Sequence, residues 1–176
     1  MEPTANYPFN VRSFFTPQEV KDIGLGIVLW RGYFQSIRPA VGKMLVNIDI
    51  STGMMYKPGP LINLCLDFFS KSNGNPNILA PSQGLPERER QKLQRFLLGV
   101  KVVTNLPGGQ GKSPRAVKKL SNAGARQLSF KLREGGSITV ADYYQKTYNR
   151  PLRFPNILCV EVRVHHTYHD SLLIFC

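Results

Sequence analysis

"TVADYYQKTYNRPLRFP", residues 139–155, decides how this chain is read. Four aromatic rings, three bases and a single acid share seventeen residues. A core takes rings without charges, and a solvated face takes charges without rings. The stretch begins as a short helix. Asn149-Arg150 ends it, because Pro151 disfavours helical geometry in the residue before it. Tyr143 and Tyr148 are five positions apart, about 140° around a helix. Both can face one site only if they lie close to that helix end.

The bulk numbers limit what surrounds this stretch. With 176 residues and 42% hydrophobic content, the chain can build a real core of one domain, or one domain plus a sub-domain. It has 23 Lys+Arg against 11 Asp+Glu, a formal net charge of +12. Such a surplus attracts polyanions, and nucleic acid is the commonest of them. An anionic membrane is the rival. No 18-residue apolar run, lipidation signal or basic amphipathic helix supports it, so no membrane partner is expected. The first residues, MEPTANYPFNVRSFF, lack the apolar region of a signal peptide, which points to an intracellular, cytoplasmic setting. Cys65, Cys159 and Cys176 are odd in number and far apart, so they read as reduced, mostly buried thiols.

Pro58-Gly59-Pro60 divides the chain. Before it, Ile27, Leu29, Tyr33 and Ile37 suggest extended or short helical pieces around Trp30. Residues 45–50, LVNIDI, alternate as a half-buried strand does. After it, Leu61 to Phe69 reads as a helix, and SKSNGNPNILAPSQG as a loop. Pro86 opens a helix with Glu87 and Glu89 in the first turn, where the helix dipole favours acids. Leu93, Phe96 and Leu97 form its apolar side and Gly99 its stop. Short strands are expected at Val100–Val103, Ala116–Leu120, Gln127–Leu132 and Leu158–Val164, with a turn at Gly135-Gly136. Short strands with two interposed helices suggest an α+β chain: a small β-barrel with an α/β insertion.

These residues carry a resemblance. LWRGYFQSIRP followed by KMLVNIDISTGMMYKPGPL resembles the first linker of eukaryotic Argonaute proteins. RQKLQRFLLGVKVVT, LSFKL, TVADYYQKTYNRPLRFPNILCVEV and HHTY resemble the PAZ domain that follows it. NVRSFF resembles the end of the Argonaute N-terminal domain. The resemblance divides the chain into residues 1–20 (end of the N-terminal domain), 21–60 (first linker), 61–168 (PAZ domain) and 169–176, a divergent tail. It implies an OB-like barrel with an inserted α/β module, and a pocket between them that holds the 3′ end of a single-stranded small guide RNA in RNA-mediated gene silencing. It implies no cofactor, no metal and no catalysis in this chain, which contains no PIWI region. Other Argonaute domains are the implied protein partners.

The chemistry agrees with that implication. Single-stranded ends are held by stacking on aromatic rings, by phosphate contacts and through the 2′-hydroxyl. A tyrosine serves twice, its ring packing on sugar or base and its hydroxyl donating to a phosphate oxygen. By the resemblance, Tyr143 and Tyr148 match the two phosphate-binding tyrosines, and Phe130 the aromatic that packs on the last nucleotide. Tyr168 lies in the matching HHTY. Arg115 stands where the family has a tyrosine, and offers a charge-assisted bond in its place. Lys112, Lys118 and Lys119 add positive charge. The family's pocket histidine falls near Asn105-Leu106 and is absent, and a family lysine is Thr147 here. Tyr144 and Phe154 read as packing residues, as do Trp30, Tyr33, Phe34 and Ile37. Arg31 and Arg38 face either guide phosphates or PAZ acids.

Two motifs are decoys. GGQGKSP fails the phosphate-loop pattern because Leu106 stands where the first glycine belongs. His165, His166, His169, Asp170 and Cys159 make one local group without a second ligand pair, which is weak for zinc. Two other functions stay open: the PAZ domain of a Dicer-like nuclease, and a protein-interaction module for an acidic partner. The linker motif WRGYFQSIRP argues against the first.

Overall fold

The computed structural model describes residues 7–8, 10–71, 74–104, 113–132 and 135–162. The backbone divides into two compact units, Met1–Ser72 and Asn73–Cys176.

The first unit is an antiparallel meander. β1 (Tyr7–Pro8), β2 (Ser13–Gly24), β3 (Ile27–Ala40) and β4 (Lys43–Tyr56) lie in the order β1-β2-β3-β4. Of the two expected forms around Trp30, extended or short helical, the chain takes the extended one, as a single continuous strand, and Ile27, Leu29, Tyr33 and Ile37 share a face because strand side chains alternate. Phe15 is buried in the groove that two glycines leave in β3 and β4. A Cβ at Gly53 would lie 2.8 Å from the Phe15 ring, and one at Gly32 would lie 2.0 Å from the Phe14 carbonyl oxygen. α1 (Leu61–Phe68) buries Leu64, Cys65 and Leu66. Burial pushes the Cys65 thiol up to about 12, so it stays protonated and inert. Lys57 joins the elements: its Nζ lies 2.8 Å from the Asp22 carboxylate on β2 and 3.5 Å from buried Asp67 on α1. The hydrogen bond with Lys57 lowers the Asp22 pKa and raises that of Lys57.

The LVNIDI segment is extended, as its alternation predicts, but it is not half-buried. Val46, Ile48 and Ile50 are exposed. The alternation is real, yet nothing among the described residues covers its apolar face.

In the second unit α2 (Glu87–Leu97) packs Leu93 and Leu97 into the core beside Val117 and Leu120. β5 (Lys101–Val102), β6 (Arg115–Gly124) and β9 (Leu158–Val162) form a sheet in the order β5-β6-β9. β7 (Ser129–Lys131) and β8 (Ser137–Thr139) form a separate hairpin, followed by α3 (Val140–Tyr148). Because β6 pairs directly with β9, the hairpin and α3 are an insertion between two neighbouring strands. The unit is therefore mixed α and β with an inserted α/β module. The expected barrel is not closed among the described residues: the sheet has three strands and the hairpin stands apart. Residues 105–112 and 163–176 lie outside the described set.

Glu87 ties α2 to the sheet through Arg90. The Arg90 guanidinium donates to both Glu87 oxygens, and its Nη1 donates to the Leu120 carbonyl at 3.4 Å. Hydrogen bonds from Arg90, then from Gln91, hold the Glu87 carboxyl at about 2 against an ordinary 4.5. A lowered folded-state pKa gives stability that is present above 4.5 and is lost as pH falls through about 2. Glu87→Gln is therefore expected to lower the melting temperature at pH 7, and the gap to wild type should close between pH 4.5 and 2. Thermal melts across that range test this; a gap independent of pH would refute it.

Candidate nucleic-acid interface

α3 is set by its ends. The Thr139 hydroxyl accepts from the Asp142 N–H at 3.2 Å and donates to the Asp142 carboxylate at 2.7 Å, capping the first turn. Val140 N–H donates to Leu128 O at 2.9 Å and Ala141 N–H to Ala125 O at 3.1 Å, which fixes the helix against the chain leading into β7. The helix stops where Pro151 predicts, with Asn149 in the left-handed region at φ 48°. Asparagine tolerates that conformation better than most residues.

This placement brings four rings together. Phe130 on β7 meets Tyr143 edge-on, with centroids 5.3 Å apart. Tyr143 meets Tyr148 at 6.4 Å, also edge-on, so the helix end does bring these two rings together. Tyr144 lies 5.3 Å from Tyr148 and packs, with Phe130, against the buried Ala125, Val140 and Cys159. Phe130 and Tyr144 thus rest on the core, while Tyr143 and Tyr148 sit half-buried above it. Neither the Tyr143 nor the Tyr148 hydroxyl makes a hydrogen bond to any described residue. Burial and the neighbouring Tyr143 raise the Tyr148 pKa, keeping its phenol a donor at neutral pH.

The cations divide into spent and unspent. Lys118 lies on β6 with its Nζ 2.8 Å from Glu161 on β9. That partly exposed pair is worth little, about 0–1 kcal/mol, and a phosphate can replace the acid. Arg115 opens β6 opposite Val102 and makes no ion pair with a described residue. Lys112 and Tyr168 lie outside the described residues, as do the histidines of HHTYHD. Among the described residues no group of three metal-ligating side chains forms. Arg31 is held by Glu19 within its own sheet, and Arg38 is exposed. Lys146 and Arg150, two of the three bases of the 139–155 stretch, stand beside the tyrosines in sequence, and Lys131, which is not among the expected pocket residues, stands beside Phe130. All three are exposed and form no ion pair with described residues. Their adjacency to ring positions was the signal available.

A cleft of about 340 Å³ lies elsewhere in this unit, between Arg90, Lys119, Asn122, Leu128 and Glu161. None of the tyrosines lines it, and Arg90 is committed to Glu87. The ring cluster has the better chemistry for a nucleic-acid end.

An Argonaute linker 1 domain matches residues 11–57, and a PAZ domain matches residues 68–174. Protein argonaute 1D of rice (Oryza sativa subsp. japonica) is 33% identical over 164 residues, covering 91% of this chain and 15% of its own length. Protein argonaute MEL1 of the same plant is 33% identical over 162 residues, with shares of 90% and 15%. The structure of Kluyveromyces polysporus Argonaute with a guide RNA aligns at a TM-score of 0.50 and 12% identity, covering 98% of this chain and 21% of that one, a likeness of fold. The class of the second unit is therefore a PAZ domain. The chain belongs to the Argonaute family, as a first-linker segment followed by that domain. It spans about 15% of the length of the curated relatives it matches. Among the described residues no helix is long and apolar enough to cross a membrane.

Proposed function

We propose that this chain is a non-catalytic RNA-binding module that anchors the 3′ end of a single-stranded small guide RNA in gene silencing. The observation that carries this reading is the pair of half-buried tyrosines, 143 and 148, held edge to edge with hydroxyls that bond to nothing in the described protein. A phenol hydroxyl left without a protein partner is a donor in wait for a phosphate oxygen. Phe130 supplies the ring for the last nucleotide, and Arg115 and Lys118 bring charge from β6; Lys112 and Tyr168, which lie outside the described residues, are assigned to the same role by the family resemblance alone. Lys131, Lys146 and Arg150 supply the field around it. The sheet of the second unit is read as part of an OB-like barrel, and other Argonaute domains as the protein partners that the family implies. The first-linker match at residues 11–57 favours this reading over a Dicer-like nuclease.

The test is a titration with short single-stranded RNA at several salt concentrations. A pocket touching about three phosphates gives a log–log slope of roughly −2. Affinity that hardly changes with salt would contradict the proposal. An acidic peptide that binds as well as the RNA would favour the protein-interaction alternative instead.

A further inference from the structure

The cleft of about 340 Å³ in the second unit is built within the residues that match the PAZ domain, by side chains of α2, β6, β9 and the chain leading into β7. It opens at a bulge. Leu120 pairs with Val160 and Gly124 with Leu158, so residues 121–123 stand opposite Cys159 alone. The Ser121 hydroxyl stitches that bulge, accepting from the Cys159 N–H at 2.8 Å and donating to the Ala123 carbonyl at 2.6 Å. Bulges re-aim side chains and are over-represented beside functional sites. Here the extra residues bring Asn122 to the cleft, exposed and with its amide bonded to no described residue.

Lys119 is the uncompensated charge of the cleft. Glu161 is paired with Lys118 at 2.8 Å and Arg90 with Glu87, whereas Lys119 is exposed and forms no ion pair among the described residues. Leu128, Val160 and Cys159 supply an apolar wall. A cation, an amide that both donates and accepts, and an apolar wall are what a phosphate, a base edge and a base face require. The volume falls at the lower end of the range for ligand pockets, roughly 300–1,000 Å³, which is room for one nucleotide and not for a strand. Leu128 and Cys159 also belong to the packing beneath Phe130 and Tyr144, so the cleft and the ring cluster share a wall.

Resting on the RNA reading above, we infer that this cleft is a second subsite, taking one nucleotide of the strand just inside the end held by the rings. Lys119 meets its phosphate, Asn122 its base edge, and Leu128 and Val160 its base face. The experiment titrates the full chain with short single-stranded RNAs, free at the 3′ end, in which one abasic nucleotide is moved inward a position at a time. Wild type should bind about tenfold more weakly when the abasic nucleotide falls at one internal position, apart from any loss at the last nucleotide. Asn122→Trp puts a large ring at the cleft mouth and should abolish that internal minimum. Lys119→Ala should lower the log–log salt slope by about 0.7, one phosphate contact on a single strand. Both residues are exposed, so neither variant should shift the melting temperature. A flat internal profile in wild type overturns the inference. So does an internal minimum that survives Asn122→Trp, or a salt slope that Lys119→Ala leaves unchanged. The preference for a free 3′ end, measured on the same strands, belongs to the ring site. Its loss in wild type would overturn the end-capture reading, while its survival beside a flat internal profile would overturn the cleft subsite alone.

Discussion

Tyr143→Phe and Tyr148→Phe are each expected to weaken binding of short single-stranded RNA about ten- to a hundredfold, with the melting temperature unmoved. Each substitution keeps the ring and removes one hydroxyl. The ring contacts at 5.3 and 6.4 Å survive, because they are edge-on packing between faces and rims. No hydrogen bond to described protein is lost, so folding has nothing to give up. What is lost is a charge-assisted bond to phosphate, about 1.5–3 kcal/mol. Tyr144→Phe is the control. Its ring packs against Ala125, Val140 and Cys159, so RNA affinity should stay near wild type. A drop in melting temperature parallel to the drop in affinity would show that the two phenols serve folding. If Tyr144→Phe weakened binding more than both of the others, the helix would present the wrong face to RNA.

The ring site was legible because proline, helix geometry and the tyrosine spacing are all local. Pro151 predicted the stop at Tyr148, and the stop is what lets positions 143 and 148 meet. The elements of the second unit followed from equally local signals: Pro86 and the acids opening α2, Gly99 at φ 83° closing it, and Gly135-Gly136 turning the hairpin. Non-local facts were out of reach. Alternation at residues 45–50 announced a strand but not whether anything lay on it. The strand character of residues 27–40 rests on pairing with β2 and β4, which no window of local sequence contains. Charge counts named Lys118 but not its partner Glu161, which lies across the sheet. Phe130 was read for the pocket, and the fold gives it packing on the core as well, since the hairpin turns its ring onto Val140 and Cys159. The insertion of hairpin and α3 between two paired strands depends on β6 meeting β9, a contact across more than thirty residues.

The central claim is that the site holds a strand end and does not merely attract a backbone. A chain of net charge +12 binds RNA of any kind to some degree. End capture makes a sharper demand. If Tyr143 and Tyr148 bond the last phosphodiester while Phe130 packs on the last nucleotide, a bulky group on the 3′ terminus must push that nucleotide out. Two charge-assisted bonds then go together, at least about 3 kcal/mol or on the order of a hundredfold. The same group on the 5′ terminus stays outside and costs nothing. The deciding measurement is a competition titration at moderate salt between two copies of one short single-stranded RNA, one blocked at the 3′ end and one at the 5′ end. The account predicts that the 5′-blocked strand binds on the order of a hundredfold more tightly. Equal affinity for the two would contradict it and leave only non-specific attraction by a basic surface.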